Sequence, residues 1–448
     1  MKNKEFYNNI KKIAIPITLQ SIFQAVLSLI DQVMIGNLGN ASIAGIGLAS
    51  KFISLFTVVV SAVVTVAGIL IAQYMGNKNK DGVNSSFFSN LYFAFIISIG
   101  FILLSLSMPN DIMSLYSEDT DTIRQAVIYL RIMTLGFIPQ TITLMFSALL
   151  RNMNCAKTPM VASAVAVVTN TVFNYLLIFG IGIFPKLEVG GAALATSISR
   201  IIELLIILFI YFRIKDKRHI KLKITYHFNK SFLKKIGYVL VPILLCEFLW
   251  SLGENVYAII YGHIGTESCA AMTLTYPLQT FAIGALSGVS AAAGIIIGQS
   301  LGAGDYNKAY KESKKLIKLT LGFGIVISVL VSLFAGLYVK LYNTEVSTSQ
   351  LTIYILYAYS VVFCAKTLNM VLGGGIIRSG GKTKYVLITD IIGTWMIGVP
   401  LGYITAYICK LPIHYVYLIL SMEEYIRLLI EIYIFKSKAW MINITTGN

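Results

Sequence analysis

The chain alternates long apolar stretches with short polar ones, and the apolar stretches set the element prediction. Each runs for about 20 residues or more, the length an α-helix needs to cross a hydrocarbon core of roughly 30 Å. Inside lipid every backbone polar group must be paired within its own segment, so each stretch is predicted to be a transmembrane helix. Twelve such helices are predicted, at 13–36, 47–75, 87–108, 124–150, 160–182, 191–213, 236–262, 273–300, 316–340, 351–377, 385–409 and 413–436.

Composition supports an all-α integral membrane protein. Of 448 residues, 56% are hydrophobic and only 12% are charged, which excludes the string of soluble domains that this length would otherwise suggest. The first stretch is too long for a cleavable signal peptide and is expected to stay in the membrane. The five cysteines have no paired spacing, so neither a disulfide framework nor a metal site is indicated.

Basic residues predict the orientation. Lys and Arg collect on one side of the predicted membrane, in the N-terminus, the even-numbered connections and the C-terminal tail, whereas the opposite connections are poor in them. By the positive-inside rule both termini are cytoplasmic, and the expected location is the plasma membrane. The net charge of +16 then reflects topology and contact with lipid, and nucleic acid is not an expected partner. We expect a monomer.

The two halves of the chain repeat each other. Pro16, Gly36, Gly39, Gln73 and Gly76 recur as Pro242, Gly262, Gly265, Gln299 and Gly302, each at an offset of 226. Six helices return the chain to its starting side, so the halves are predicted to be parallel repeats with a substrate path between them. The predicted organisation is an N-lobe at 1–213, a cytoplasmic basic linker at 214–235 and a C-lobe at 236–448.

The stretch Gly373 to Thr383, GGGIIRSGGKT, is the one candidate phosphate loop. A nucleotide-binding loop of this type reads G-x-x-x-x-G-K-[ST], and Ile376 stands where its first Gly is required. The stretch also lacks a preceding strand. It is interpreted as the second copy of a basic loop that follows the fourth helix of each half, and ATP is not an expected cofactor.

Asp31 is the candidate ion-binding residue of the first half. A carboxylate at a helix centre costs about 2.5 to 3.5 kcal/mol on insertion scales, so it needs a partner or a watery cavity. Gln24 and Ser28 precede Asp31 by seven and three residues, which places all three on one helix face. An Asp31 that simply reaches the aqueous interface is the alternative interpretation.

Three further polar residues of the first half complete the candidate site. Asn170 and Asn174 are four residues apart and stack on the fifth helix, and Thr196 lies at a similar depth on the sixth. One carboxylate with two amides and a hydroxyl can hold a small cation, or a proton with its hydrogen-bond network.

Several motifs resemble those of the multidrug and toxic compound extrusion (MATE) transporters. They are IDQVMIGNLG, NTVFNYLLIFG and GGAALATSISR in the first half and WMIGVPLGY in the second, and the resemblance covers nearly the whole chain. It implies two six-helix lobes that form a V, and export of organic compounds in exchange for Na⁺ or H⁺. It also implies that Asp31, Asn170 and Asn174 form the cation-coupling site, with Thr196 a less certain member. The same three would be the ligands of sodium if the coupling ion is Na⁺.

The second half departs from the family pattern. Many relatives carry a Glu in the seventh helix and an Asp in the tenth, and here those positions fall near Trp250 and Thr367. Glu247 and Glu254 share the face of Trp250 and could stand in as a second-lobe site, or could be ties to neighbouring helices. Lys366 could instead act there as a built-in cation.

The predicted function is secondary active antiport of organic, cationic or amphipathic compounds, with H⁺ or Na⁺ as the coupling ion and no other cofactor. Gln24, Ser28, Trp250 and Tyr257 are expected to line the substrate path. The alternative is a flippase for a lipid-linked sugar or peptidoglycan precursor. An enzyme is not expected, because the four histidines lie in loops or at helix ends, well apart in sequence.

Overall fold

The structure is a computed structural model that describes residues 2–36, 38–215, 222, 230–342 and 345–445. Most of the predicted linker, 216–221 and 223–229, lies outside the described residues. No strand occurs within the described ranges. The α-helices are α1 Lys2–Ile35, α2 Asn40–Gly76, α3 Lys80–Ser107, α4 Pro109–Ser114, α5 Thr120–Asn152, α6 Lys157–Phe179, α7 Val189–Ile214, α8 Lys230–Ile264, α9 Thr266–Gly302, α10 Tyr306–Val339, α11 Val346–Asn369, α12 Thr383–Asp390, α13 Val399–Tyr403, α14 Ile413–Leu420 and α15 Glu423–Ser437.

Three π-helical segments continue the helices of the second half. Met370–Ile377 extends α11, Ile391–Gly398 joins α12 to α13, and Ile404–Ile408 follows α13. Such segments widen the helix locally and leave some backbone groups outside the regular ladder. The predicted tenth and eleventh helices are therefore each continuous but not uniformly α-helical.

Eleven helical runs among the described residues are long and apolar enough to cross a membrane. The predicted twelfth helix at 413–436 is interrupted once, because α14 ends at Leu420 and α15 starts at Glu423. The backbone turns between them, and Glu424 N–H donates to Ser421 C=O at 3.1 Å instead of to the carbonyl one residue earlier. The break places two adjacent glutamates at the start of α15.

The chain divides into two compact units. The N-unit comprises Ile15–Met75 and Asn79–Ile236, and the C-unit comprises Met1–Ala14, Gly76–Lys78 and Gly237–Asn448. The N-unit core contains stacked Phe56 and Phe137, whose ring centroids are 4.2 Å apart. Burial of such aromatic side chains supplies a large share of packing energy.

The repeat that the sequence predicts is visible in the helix boundaries. Helices α2 and α9 are each 37 residues long and start 226 positions apart. Each follows a glycine with positive φ, Gly39 at 87° and Gly265 at 145°. The next helix is capped in each half by a side chain, Asn79 accepting from Gly82 N–H and Asp305 from Lys308 N–H. The same local signals therefore start and end equivalent helices.

The GGKT loop is a tight connection between two helices. Gly381 has φ +75°, and Asn154 in the corresponding loop of the first half has φ +58°. A Cβ on Gly380 would clash with the Trp440 carbonyl. The two glycines are thus explained by a left-handed turn and a close approach of backbone to backbone.

Candidate functional site

The N-unit brings together all four residues predicted for the cation-coupling site. Asn174 Nδ2 donates to Asp31 Oδ1 at 2.6 Å and to Asn170 Oδ1 at 2.8 Å. Asn170 Nδ2 then donates to Thr196 Oγ1 at 3.2 Å, and Thr196 donates to the Ala192 carbonyl of its own helix at 3.0 Å. The result is a continuous hydrogen-bond chain that starts on α7, crosses α6 and ends on the carboxylate of α1.

Helix periodicity and close packing position the side chains of this hydrogen-bond network. Asn170 and Asn174 are one turn apart on α6, so both amides face the same way, and they are 0% and 2% exposed. Helix α7 approaches α6 closely at Gly191, where a Cβ would lie 2.6 Å from the Leu177 backbone. That approach holds Thr196 within reach of Asn170.

One buried acceptor in this hydrogen-bond chain has no donor among the described residues. Among the described residues, Asn174 Oδ1 has no hydrogen-bond partner, although both hydrogens of Asn174 Nδ2 are used. An unmet buried oxygen costs free energy, and it lies on the amide that bonds to a carboxylate.

The donor set is one of hard oxygens with a single negative charge. Within the described part of the chain, no group of three or more His, Cys, Asp or Glu residues is placed to hold a metal ion. The set Asp31, Asn170, Asn174 and Thr196 instead offers one carboxylate with amide and hydroxyl oxygens, which suits a monovalent ion or a proton better than a tightly held divalent metal.

The polar stripe below Asp31 stays outside this network. Gln24 and Ser28 lie on the same side of α1 and are exposed. No hydrogen bond joins either side chain to Asp31 within the described ranges. Their assignment to a substrate path remains a prediction.

In the C-unit, Glu247 is tied to a basic residue. Arg378 Nη1 lies 3.3 Å from Glu247 Oε1, and Arg378 Nη2 donates to Cys246 Sγ at 3.2 Å. The first repeat has an equivalent contact with a neutral acceptor, since Arg151 Nη2 donates to Gln20 Oε1 at 2.7 Å over the same separation of 131 residues. This recurrence favours the helix-tie interpretation of Glu247 that the sequence left open.

Glu254 and Tyr257 lie around a small cavity of the C-unit. Glu254 is exposed and Tyr257 is 6% exposed, while Trp250 is 49% exposed and is not among the cavity residues. The cavity measures about 40 Å³, and its polar lining also includes Lys366, Glu423, Glu424 and four more side chains, Tyr261, Tyr276, Tyr417 and Gln279.

Sequence reasoning missed the buried charge cluster next to this cavity. In this cluster Arg427 Nη2 lies 2.7 Å from Asp390 Oδ1, and Arg427 Nη1 lies 3.8 Å from Glu424 Oε2. Packing of α12 against α15 brings Asp390 to this arginine. The signal was present in the sequence as three acids and one arginine within nine residues of an otherwise apolar segment.

Comparison with known proteins gives the family. The MatE family model matches residues 16–176 and 242–404, which together make up more than half of the chain and differ at their starts by the repeat offset. The chain is 23% identical over 414 residues to "Uncharacterized transporter YisQ" of Bacillus subtilis, covering 92% of this chain and 90% of that protein. It is 23% identical to "Probable multidrug resistance protein NorM" of Thermotoga maritima, covering 89% and 86%.

Solved structures confirm the predicted fold. The structure titled "Crystal structure of MATE in complex with MaL6" superimposes with a TM-score of 0.88 at 19% identity, covering 96% of this chain and 95% of that one. A transporter of the MOP superfamily from Pyrococcus furiosus, whose title describes a binding pocket of reversed polarity, gives 0.85 at 20% identity, covering 96% and 95%. With two matched repeats, eleven apolar helices in the described ranges and this fold, the chain is a multi-pass membrane protein that belongs to the MatE family of multidrug efflux transporters.

Proposed function

We propose that this protein is a secondary active antiporter that exports organic, cationic or amphipathic compounds in exchange for H⁺ or Na⁺ by alternating access of its two lobes. The observation that supports the proposal is the hydrogen-bond chain from Thr196 through Asn170 and Asn174 to Asp31. It supplies one carboxylate that is linked by hydrogen bonds to helices α6 and α7, so that binding of an ion to Asp31 can affect the packing of α1, α6 and α7.

Coupling requires that the ion and the compound favour different conformers. A ligand shifts such an equilibrium only by its differential affinity for the two states. In the proposed cycle an ion from outside occupies Asp31 and engages the free Asn174 Oδ1, which alters the packing of α1 against α6. Compound binding then weakens, the lobes alternate, and the ion leaves on the inner side.

The proposed substrate class follows from the relatives and from the charge of the site. Relatives such as the Thermotoga maritima protein carry multidrug resistance in their names. A transport path that contains a carboxylate favours cationic compounds, and the aromatic side chains of the chain (12% of residues) offer adaptable faces for flat ones. We place the protein in the plasma membrane with both termini in the cytoplasm, on the basis of its Lys and Arg distribution.

A vesicle assay tests the proposal. The purified protein is reconstituted, the vesicles are loaded with ethidium, and a Na⁺ gradient or a pH gradient is imposed in turn. Efflux that follows one gradient and not the other supports antiport and names the ion. If neither gradient drives efflux and ATP is also inert, the antiport proposal is contradicted and movement of a fluorescent lipid-linked sugar is the next measurement.

A further inference from the structure

The C-unit buries more carboxylates than cations. Around the start of α15, Glu423, Glu424 and Glu431 are 5%, 6% and 3% exposed, and Arg427 is 8% exposed. Asp390 joins them from α12 with a side chain 15% exposed. Four carboxyl groups thus face one guanidinium in a site that is nearly closed to water.

The guanidinium is already committed. Arg427 contacts Asp390 at 2.7 Å and Glu424 at 3.8 Å, and its Nη2 also donates to Thr394 Oγ1 at 3.2 Å. Glu424 Oε2 additionally accepts from Asn369 Nδ2 at 2.8 Å. These contacts satisfy two of the four acids.

The other two acids, Glu423 and Glu431, have no such cationic partner among the described residues. Neither carboxylate has a cationic nitrogen within 4 Å among the described residues. Glu431 Oε2 is buried there without a hydrogen-bond partner, and Glu423 Oε2 lies beside the neutral Tyr257 hydroxyl. An isolated ionised carboxylate in such surroundings is far more costly than its neutral form. Each of these two groups is therefore expected to carry a proton in the structure as it stands.

The cavity separates the two acids. Glu423 lines it, together with Glu254 and Lys366, whereas Glu431 is absent from its lining and packs against Gly373, where a Cβ would meet Glu431 Oε1. A volume of about 40 Å³ has room for about three or four waters, since one water needs about 10 to 15 Å³ on this measure. It is far below the roughly 300 Å³ of small-molecule pockets, so the cavity suits protons and water rather than an exported compound.

Glu423 is surrounded by groups that respond to its charge. A Cβ on Gly398 would meet both the Tyr257 hydroxyl and Glu423 Oε2, so these two polar atoms converge on one point. The titratable and charged groups that face Glu423 come from α8, α9, α11, α14 and its own helix: Glu254, Tyr257, Tyr261, Tyr276, Lys366, Tyr417, Glu424 and Arg427.

We propose that Glu423 is a reversible proton-binding site of the C-unit that exchanges its proton with water in the adjoining cavity, while Glu431 keeps its proton. On release, the Glu423 O–H bond breaks, the proton passes to a cavity water, and the carboxylate left behind is balanced by the Lys366 ammonium and the Tyr257 hydroxyl. This site is separate from Asp31, which belongs to the other unit, and it adds a second proton-dependent element to the protein.

Intrinsic fluorescence offers a readout confined to this unit. All three tryptophans of the chain, Trp250, Trp395 and Trp440, belong to the C-unit. Trp395 lies in the π-helical segment that also carries Thr394, the hydrogen-bond partner of Arg427. A change in the charge of Glu423 is therefore expected to reach a tryptophan through Arg427 and Thr394.

The experiment is a pH titration of tryptophan fluorescence with the full-length protein in detergent. The Asp31→Asn background removes the N-unit carboxylate, so that the result is independent of the antiport proposal. We expect a sigmoidal step in Asp31→Asn, loss of that step when Glu423→Gln is added, and its retention when Glu431→Gln is added as the matched control. No step in Asp31→Asn, or a step that survives Glu423→Gln, would overturn the proposal.

A second variant keeps the test decisive if Glu423→Gln does not fold. Lys366→Met in the Asp31→Asn background removes the cation that balances the carboxylate, so the midpoint of the step is expected to move to higher pH. An unchanged midpoint would overturn the proposal. Efflux by the wild-type protein, measured in the vesicle assay, decides the antiport proposal separately.

Discussion

In the N-unit one carboxylate, Asp31, ends a chain of neutral amides and a hydroxyl, whereas in the C-unit four buried carboxyl groups surround one guanidinium. The helical scaffold is nevertheless similar in both units. Helices α2 and α9 have equal length, and in each unit an arginine contacts a side chain 131 residues earlier in the sequence. Duplication has kept the scaffold and its caps while the buried electrostatics diverged.

The two units differ in how their buried charges respond to an added ion. A neutral network with one acid changes its net charge when a single ion arrives, so it is suited to coupling. A network of paired charges is largely balanced within itself and stabilises one arrangement of helices, apart from members such as Glu423 that have no cationic partner. Function therefore depends on individual sites set on a shared fold.

Replacing Asp31 of the N-unit should change transport more than any other substitution considered. In the proposed cycle ion and compound compete for the charge of Asp31, so Asp31→Asn should lower ion-driven ethidium efflux to that of protein-free vesicles while folding and insertion are kept. Asp111→Asn, an exposed acid on α4, is the matched control and should retain efflux. Unchanged efflux in Asp31→Asn at equal reconstitution would remove that residue from the mechanism.

The next effect concerns the C-unit ion pair. Arg427→Met leaves Asp390 and Glu424 as uncompensated buried charges, so the free energy of unfolding should fall by about 3 to 5 kcal/mol. Lys186→Met breaks the exposed N-unit pair with Glu188, whose side chains are 61% and 51% exposed, and should cost less than about 1 kcal/mol. Denaturant titration in detergent measures both, and equal losses would contradict the assigned burial of Arg427.

Adjacent glycines in each unit give a matched pair of packing tests. Gly191→Ala and Gly375→Ala place a methyl 2.6 Å from the Leu177 backbone and 2.7 Å from the Ser290 carbonyl, and each should lower the free energy of unfolding by about 1 to 3 kcal/mol. Gly190→Ala and Gly374→Ala meet only side-chain atoms at 3.4 and 3.6 Å and should be close to neutral. Thermal unfolding of the four variants measures these differences in stability. Equal losses in Gly190→Ala and Gly191→Ala would contradict the prediction.

The smallest effect is at the far end of the N-unit chain. Thr196→Val deprives Asn170 Nδ2 of its acceptor, a loss of about 1 kcal/mol and so about a fivefold weaker apparent affinity for the coupling ion. Thr171→Val is the control, because its hydroxyl bonds only to the Val167 carbonyl of its own helix in the described network. The ion dependence of efflux measures the difference, and an equal effect of the two variants would exclude Thr196 from the site.

Local sequence patterns were enough to predict the helical membrane fold, the duplication and the N-unit group of Asp31, Asn170, Asn174 and Thr196. Lipid imposes a minimum length on every spanning helix and forbids unpaired backbone groups, so apolar stretches translate directly into helices. The spacing of four between Asn170 and Asn174 placed both amides on one face, and the repeat offset of 226 reappeared in the helix boundaries. These features depend on the spacing of residues along the chain, which can be read directly from one sequence.

Three features became visible only once the helices were packed: the break between α14 and α15, the partners of Arg427, and the contact of Glu247 with Arg378. Arg427 has acids three residues before it and four residues after it on its own helix, and spacing cannot choose between them or anticipate Asp390 on α12. That choice depends on which helices pack together, because a buried charge pairs with the nearest opposite charge that packing brings to it. The orientation of α12 against α15, rather than any local pattern, gave Arg427 to Asp390 and left Glu423, which lines the C-unit cavity, without a cationic nitrogen within 4 Å among the described residues.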